Sequence, residues 1–469
     1  MASDFFILLK QELMVIAIIF LLLFIKLGKD RTNVTLLNWI NGLLFVNLVS
    51  GFIGNTEGIL FNEMFRTNPL IVLEKNILNL AFLLISMQSY VWLRTHKHVI
   101  EFYLLLLSSL LGMFFMISSG NLLMFYLSLE LSTIPLAAAA NFDLTKRISS
   151  EAAMKMIISS AFSSGLLLFG ISLVYGAGGT LVFSEIAAHL SADPLHIIAF
   201  ILLLSGFAFK MSAVPFHFWT ADVYEGAPVA VTSFLSVVSK AAILFVFVAV
   251  LYTIFKPLAL LWYNMLFVLS LTTIIVGNLF ALRQNNFKRF LAFSSIAQVG
   301  FILIGISGSS QEGTASVVYF ILIYVFSNLA AFGVISLVSA ATGKENISDF
   351  KDFYQTNPLL SWILTIALFS LAGVPPTAGF FGKFFLLMAG AAKGNYWLIS
   401  IAALNMVISF YYYLRVVKAI FMDTNDQPIE KLTIPLLPKL ALVICVIGIV
   451  ITGLVSLVYE YIHSLSIGL

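Results

Sequence analysis

The sequence predicts an all-α protein that crosses a membrane many times, and three observations lead to this fold class. Of its 469 residues, 61% are hydrophobic and 10% are charged, whereas soluble globular chains carry about 25% charged residues. The apolar residues form runs of roughly 20, the length that a helix needs to cross a bilayer. The connecting segments are short, so we expect one membrane domain without an extramembrane domain.

Fourteen apolar runs are long enough to be membrane spans. No small-residue cleavage site follows the first of them, so a cleavable signal peptide is not expected. The predicted spans are 10–27, 34–54, 69–93, 100–119, 121–141, 151–176, 195–219, 226–251, 258–282, 289–308, 314–341, 358–391, 396–421 and 436–462.

The placement of Lys and Arg predicts how the chain is oriented, because loops on the cytoplasmic side collect positive residues. With the N-terminus outside, 16 of the 25 Lys and Arg residues fall in loops predicted to be inside, and 4 fall in segments predicted to be outside. A miscounted helix would disturb this alternation. Both termini are therefore predicted to lie on the outer side.

Five lysines lie within predicted spans, where a charged side chain is costly and usually faces a polar interior. Lys75 follows Glu74 near the outer end of the third span, which suggests a local ion pair or a side chain that reaches the membrane surface. Lys155 is close to the inner end of the sixth span. It either reaches the surface in the same way or joins a polar path with Ser159 and Ser160.

Lys210, Lys240 and Lys383 are placed too deep to reach the surface. Lys210 and Lys240 lie roughly 22 and 21 Å into their spans at 1.5 Å per residue, and Glu130 is expected to be the one carboxylate deep in the membrane. A static pair with Glu130 would explain one lysine and leave two unpaired. A buried lysine changes its protonation when its surroundings change, so the four residues are predicted to form a proton relay.

Two spans contain helix breaks next to these lysines. Pro215 follows Lys210, and the stretch SLAGVPPTAGFFGKFF precedes and includes Lys383. Broken helices are tolerated at membrane depth where they line a polar cavity, and paired breaks suggest inverted repeats. We predict two five-helix units, spans 4–8 (residues 100–251) and 9–13 (258–421), with helices 1–3 in residues 1–99 and a last helix at 436–462.

Other polar residues near the predicted relay give weaker functional signals. His217 could extend the relay to the inner surface, or satisfy carbonyls freed by Pro215. Asp222 and Glu225 fit a structural loop that connects two helices. The sequence has one cysteine, Cys445, and no Walker loop, GxGxxG, CxxC or paired-histidine motif, so no metal or cofactor is expected in this chain.

Several stretches resemble the antiporter-like subunits of respiratory NADH:quinone oxidoreductase (complex I), and subunit N in particular. They cover the middle two-thirds of the chain. They are YLSLELSTIPL (126–136), SSEAAMKMIISSAFSSGLLLFGISLVYGAGGT (149–180), VPFHFWTADVYEGAPVAVTSFLSVVSKAA (214–242), NFKRFLAFSSIAQVGF (286–301) and FSLAGVPPTAGFFGKFFLL (369–387).

The resemblance implies a non-redox, proton-translocating subunit of this enzyme in a bacterial inner membrane. Glu130 would modulate Lys210, Lys240 would be the central relay lysine, and Lys383 would serve the second half. NADH, flavin, iron–sulfur clusters and quinone would be held by partner subunits. The membrane partners would be the antiporter-like subunit M and the small subunits K, J and A.

One residue departs from the family pattern: Gln298 stands where the family often has histidine, and glutamine does not titrate near neutral pH. Three alternatives remain open at this point. The chain could belong to a multisubunit cation/proton antiporter, to a membrane-bound hydrogenase or formate complex, or to a structural scaffold that tolerates neutral replacement of its lysines.

Overall fold

The computed structural model describes residues 2–28, 31–54 and 57–467 of a helical bundle. A short antiparallel hairpin of β1 (Gly58–Leu60) and β2 (Phe65–Thr67) interrupts it near the N-terminus. The α-helices are α1 (Ala2–Leu8), α2 (Lys10–Leu27), α3 (Asn33–Gly51), α4 (Pro69–Gln88), α5 (Tyr90–Leu93), α6 (Val99–Ile117), α7 (Leu122–Ala140), α8 (Arg147–Gly178), α9 (Phe183–His189), α10 (Pro194–Met211), α11 (Phe218–Gly226), α12 (Val229–Phe234), α13 (Lys240–Thr253), α14 (Ala259–Ala281), α15 (Phe287–Ser307), α16 (Gln311–Thr342), α17 (Phe353–Thr356), α18 (Pro358–Ala372), α19 (Ala378–Ala391), α20 (Tyr396–Phe421), α21 (Leu436–Leu454) and α22 (Ser456–Leu465).

Each predicted span overlaps at least one helix. In the described residues, 12 helical segments are long and apolar enough to cross a membrane. The predicted first span, now α2, falls outside this set because it carries Lys10, Glu12 and Lys26. The predicted twelfth span falls outside it because it is divided into the half-helices α18 and α19. The division into two inverted units stays a prediction.

Contacts between loops gather the segments predicted to be inside at one end of the bundle. The ring of His96 packs on that of Phe142, with centroids 4.8 Å apart. The backbone N–H of Asp352 donates to the Ala419 carbonyl. We call this end the lysine-rich face. It comprises the connections 94–98, 141–146, 282–286, 343–352 and 422–435.

The opposite face is formed by the hairpin and by the loops around 118–121, 179–183 and 308–310. The N–H of Arg66 donates to the Ser118 carbonyl, and the N–H of Phe183 donates to the Gly120 carbonyl. Successive helices therefore alternate between two faces, as the distribution of Lys and Arg predicts. Which face is cytoplasmic remains a prediction.

The centre of the bundle is formed by α4, α12–α13, α15 and α16, whose apolar stretches are 89 to 100% buried. By contrast, the stretches of α8, α14 and α20 are 28 to 39% buried in the single chain, which leaves apolar flanks for lipid or neighbouring proteins. The lysines on α13 and α19 thus lie within the protein and face other helices.

Both helix breaks that the sequence predicts are present. The first stops α10 at Ser212, whose φ of +67° is left-handed, and the chain resumes as α11. The second stops α18 at Gly373 with a φ of +85°, a conformation open to glycine because it has no Cβ. Proline cannot donate a backbone hydrogen bond, so Pro215 and Pro375 cannot continue either helix. The stretch predicted as a loop around Asp222 is instead helix α11.

A third irregularity was not predicted. Residues Leu235–Ser239, between α12 and α13, form a π-helical segment that ends directly before Lys240. Such bulges are rare and occur frequently at functional sites.

Candidate functional site

Lys210 lies at the first break, one residue before α10 ends, and its amine donates a hydrogen bond to the hydroxyl of Thr133 on α7. Thr133 passes this bond on by donating to the Leu129 carbonyl at 2.6 Å. Glu130 lies on the same helix within electrostatic range of Lys210. Its Oε1 atom is buried and has no hydrogen-bond partner in the described part of the chain. The hydrogen-bond partner of Lys210 is therefore Thr133. The static Glu130–Lys210 ion pair, which was the alternative, is not formed among the described residues.

Lys240 begins α13 and is 2% exposed. Its Nζ donates to Ser295 Oγ on α15 at 2.6 Å, and Ser295 donates to the Ala292 carbonyl at 2.7 Å. The Lys240 ammonium lies 5.5 Å from the centre of the Tyr224 ring. The partners of this lysine are thus a neutral hydroxyl and an aromatic face.

A small cavity continues from Lys240 along α15. Its walls include Lys240, Ser295, Gln298 and Tyr324. It offers about 10 Å³ to a water-sized sphere, which is at the lower limit for holding one water molecule. Both the Lys240–Ser295 pair and Gln298 line this cavity, so a water molecule in it could join them.

Lys383 lies in α19 directly after the second break, and it is 0% exposed. Its amine donates to the carbonyls of Leu371 at 2.8 Å and Ala372 at 3.2 Å, the last two residues of α18. These carbonyls are available because α18 stops there and leaves its final acceptors without helical donors. The break itself therefore holds the lysine, with the Phe301 ring 4.8 Å away.

Gln298 links the two lysines. Its Nε2 donates to the Leu371 carbonyl at 2.9 Å, the same oxygen that accepts from Lys383. The polar groups therefore follow one another from Lys240 through Ser295, the cavity, Gln298 and the Leu371 carbonyl to Lys383. No comparable chain of contacts joins Lys210 to Lys240 among the described residues.

Sequence reasoning missed a second set of polar groups beside this row. Tyr324, which lines the cavity, shares a hydrogen bond of 3.0 Å with Ser236, and Asn328 donates to Ser236 at 3.1 Å. Ser236 lies in the π-helical segment. In the sequence these three residues are isolated polar positions within apolar stretches, which is a weak indication of a functional site. Only the packing of the helices shows that they contact one another.

Lys155 and His217, the two residues assigned to the relay with less support, lie away from the Lys240–Lys383 row. Lys155 is at the lysine-rich face, where its amine pairs with Asp222 at 2.6 Å and Glu151 at 2.8 Å. Asp222 also pairs with Arg289 at 2.6 Å. His217 immediately precedes α11, and its Nδ1 is buried without a hydrogen-bond partner in the described residues. Neither side chain contacts the Lys240–Lys383 row, and both roles stay predictions.

The Asp222 cluster is an ionised anchor for the two helices that meet there. Burial would raise the pKa of the Asp222 carboxyl, but hydrogen bonds from Lys155 and Arg289 outweigh it and hold this pKa below its usual value. The anchor thus stays charged near neutral pH and is lost as the pH falls through the carboxyl range.

A charged cavity of about 400 Å³ opens at the lysine-rich face. It reaches the start of α12, roughly 16 Å along the helix from Lys240 at 1.5 Å per residue. Its charged walls are Asp143, Lys146, Glu225, Lys288 and Glu345.

The expected pairing of Lys75 with its neighbour is wrong. Lys75 is buried and pairs with Glu12 of α2 at 2.5 Å. Glu12 and Glu74 are buried as well, at 1% and 6% exposure, but they lie near the start of their helices, so the expectation that Glu130 is the one carboxylate deep in the membrane stays a prediction. A contact 63 residues apart in sequence could not be inferred from neighbours on one helix.

Comparison with known proteins agrees with this architecture. Residues 119–409 match the family described as "NADH:quinone oxidoreductase/Mrp antiporter, TM". The chain is 44% identical over 438 residues to NADH-quinone oxidoreductase subunit N of Phocaeicola vulgatus, which covers 92% of this chain and 93% of the relative. It is 47% identical over 416 residues to the subunit N of Azobacteroides pseudotrichonymphae, covering 88% and 87%.

A chain of respiratory complex I from Thermus thermophilus with bound aureothin has the same fold, with a TM-score of 0.83 at 26% identity, covering 96% of this chain and 98% of that one. The resemblance inferred from the motifs is therefore confirmed. The chain belongs to the subunit N family of NADH:quinone oxidoreductases, a family of proton-translocating membrane subunits.

Proposed function

We propose that this chain moves protons along a relay in which Lys240 and Lys383 exchange a proton through Ser295 and through water that Gln298 orients beside the small cavity. The observation that carries the proposal is the shared Leu371 carbonyl, which accepts from both Gln298 and Lys383. It places Gln298, which lines the cavity beside Lys240, next to Lys383, so that the space between the two lysines has polar walls and room for about one water molecule.

The surroundings of these lysines favour proton exchange over a fixed charge. The atoms that accept from Lys240 and Lys383 are neutral oxygens. A buried ammonium without a paired anion is costly. Releasing a proton removes that charge, and the amine remains able to accept another.

Glu130 and Lys210 would control the entry to this row. Glu130 has an unpartnered oxygen and lies one turn from Thr133, the partner of Lys210. A shift of Lys210 from Thr133 toward Glu130 would form an ion pair and change the field at Lys240. The charged cavity at the lysine-rich face would supply protons to α12 and Ser236.

The energy would come from quinone reduction elsewhere in the complex, so the translocase activity belongs to the assembly. NADH, flavin, iron–sulfur clusters and quinone would be held by partner subunits. The membrane neighbours would include subunit M and the small subunits K, J and A. The chain would lie in a bacterial inner membrane with both termini on the outer side.

Replacing Lys240 with methionine tests the relay, because methionine fills a similar volume without a titratable amine. The complex should assemble, as judged by a native gel, and proton uptake by membrane vesicles during NADH oxidation should fall. Uptake at the wild-type rate in an assembled Lys240→Met complex would remove Lys240 from the mechanism.

A further inference from the structure

The three N-terminal helices α2, α3 and α4 carry a buried polar cluster of their own. They precede the first predicted five-helix unit and do not contribute to the Lys240–Lys383 row. We call this set the N-terminal polar cluster. Its members, each at most 4% exposed, are Gln11, Glu12, Asn47, Lys75, Asn76 and Asn79.

An ion pair lies at the centre of the cluster. Lys75 Nζ contacts Glu12 Oε1 at 2.5 Å, and each side chain is 1% exposed. The second carboxylate oxygen, Glu12 Oε2, is buried and has no hydrogen-bond partner in the described part of the chain. The ammonium also lies 5.1 Å from the Phe65 ring centre and 6.0 Å from that of Phe114.

Amide side chains continue from this pair into the bundle. Gln11 donates to Asn76 at 2.6 Å, and Asn76 donates to the Gly51 carbonyl at 3.1 Å. A side chain at Gly51 would overlap both amides, so this close approach requires glycine. One turn further along α4 lies Asn79, whose side chain accepts a hydrogen bond of 2.7 Å from Asn47 on α3.

The amides retain unused hydrogen-bonding capacity. Asn47 Oδ1 and Asn79 Nδ2 are buried without partners among the residues that the structure describes. Buried polar atoms are nearly always satisfied by protein or by ordered water. These two atoms, one turn along α4 from Lys75, and the unpartnered carboxylate oxygen indicate places that a water or a proton carrier can use.

The cluster is close to the face opposite the lysine-rich face. Lys75 is six residues into α4, about 9 Å from the start of that helix. Three other charged groups lie around the pair. Glu74 is buried on the same helix with Arg66 within electrostatic range, and Lys10 of α2 lies within electrostatic range of Lys75.

Stability alone does not account for such a pair. The desolvation of two buried charges can exceed their attraction, and replacing both by apolar groups is often neutral or stabilising.

We propose that Glu12 and Lys75 form a proton-exchange site at the face opposite the lysine-rich face. The Lys75 ammonium gives a proton to the Glu12 carboxylate, which leaves a neutral amine and a neutral carboxylic acid. Glu12 then releases that proton from its unpartnered side to water at the outer surface, and Lys75 takes up another proton through the amides. This step deepens the proposed function and depends on it.

Four variants of the assembled complex test the proposal: Glu12→Gln, Lys75→Met, the double replacement, and Lys75→Arg. The double replacement removes both charges together, so it would repair a purely structural pair. Arginine keeps the ion pair but does not release its proton. As a control, Asn41→Leu removes a buried amide of α3 that donates to the Leu37 carbonyl of its own helix.

We expect the double replacement and Lys75→Arg to assemble and to translocate fewer protons per NADH than the wild type, while Asn41→Leu matches it. Full translocation by the double replacement or by Lys75→Arg would overturn the proposal, even if the single variants Glu12→Gln and Lys75→Met fail to assemble. If neither of the two assembles, the pair is structural and the proposal also falls. Lys240→Met is measured in parallel: its normal pumping would instead contradict the relay itself.

Discussion

Replacing Gln298 with methionine should interrupt proton transfer while leaving the protein folded. Methionine has nearly the volume of glutamine but lacks the Nε2 donor that contacts the Leu371 carbonyl at 2.9 Å and the Tyr413 hydroxyl at 3.3 Å. Both acceptors keep another partner, since Lys383 still donates to Leu371 at 2.8 Å and Tyr413 still contacts Ser294 at 2.5 Å.

The expected loss of stability is therefore small. No acceptor is left unsatisfied, so the change should remove about 1 kcal/mol, the net contribution of a typical hydrogen bond. Proton transfer is affected differently, because the polar wall between the cavity and Lys383 disappears. If the loss of this wall raises the transfer barrier by about 1.4 kcal/mol, within the range of one hydrogen bond, the rate falls about tenfold.

The assay is the initial rate of proton uptake by vesicles during NADH oxidation, with assembly measured on a native gel. Gln88→Met is a matched control, because Gln88 is also buried and donates to a backbone carbonyl, that of Leu329, at 3.0 Å. Gln298→His should retain pumping, since imidazole both donates and accepts hydrogen bonds. Wild-type uptake by an assembled Gln298→Met complex would refute the continuous path.

Three further predictions follow from the same structure. Glu130→Gln should impair pumping and Glu130→Asp should do so less, because the charge acts on the neighbouring lysine; equal loss in pumping assays would show that side-chain length dominates. Gly379→Ala should impair both assembly and pumping, because its Cβ would overlap a carbonyl of α18, whereas Gly165→Ala, with open space around it, should be silent. After replacement of the native cysteine, a cysteine at Lys351 should react with an impermeant reagent from the inside and one at Lys393 from the outside; reversed labelling would overturn the orientation.

The fold could be predicted from the sequence because its main determinants are local. Apolar runs of about 20 residues define the helices, and the spacing of Lys and Arg defines their alternation. The helix breaks beside Lys210 and Lys383 could be located because proline and glycine change the backbone wherever they occur. The end of α10 was misplaced because the residues after its break are themselves apolar.

The partners of the lysines could not be predicted, because they depend on packing between distant helices. Lys75 pairs with Glu12 across 63 residues, a contact that the adjacent Glu74 concealed. Gln298 cannot titrate near neutral pH, a property visible in the sequence, whereas its hydrogen-bonding position beside Lys383 depends on the packing of α15 against α18. The π-helical segment before Lys240 has no proline or glycine to mark it.

The most direct test of the relay is the number of protons translocated per NADH oxidised by the Lys383→Arg complex. Arginine preserves a positive charge that can donate to the α18 carbonyls, but its guanidinium does not release a proton. We predict an assembled complex with a lower ratio than the wild type in parallel vesicle preparations. An unchanged ratio would show that Lys383 is a fixed countercharge, and proton transfer between Lys240 and Lys383 would be contradicted.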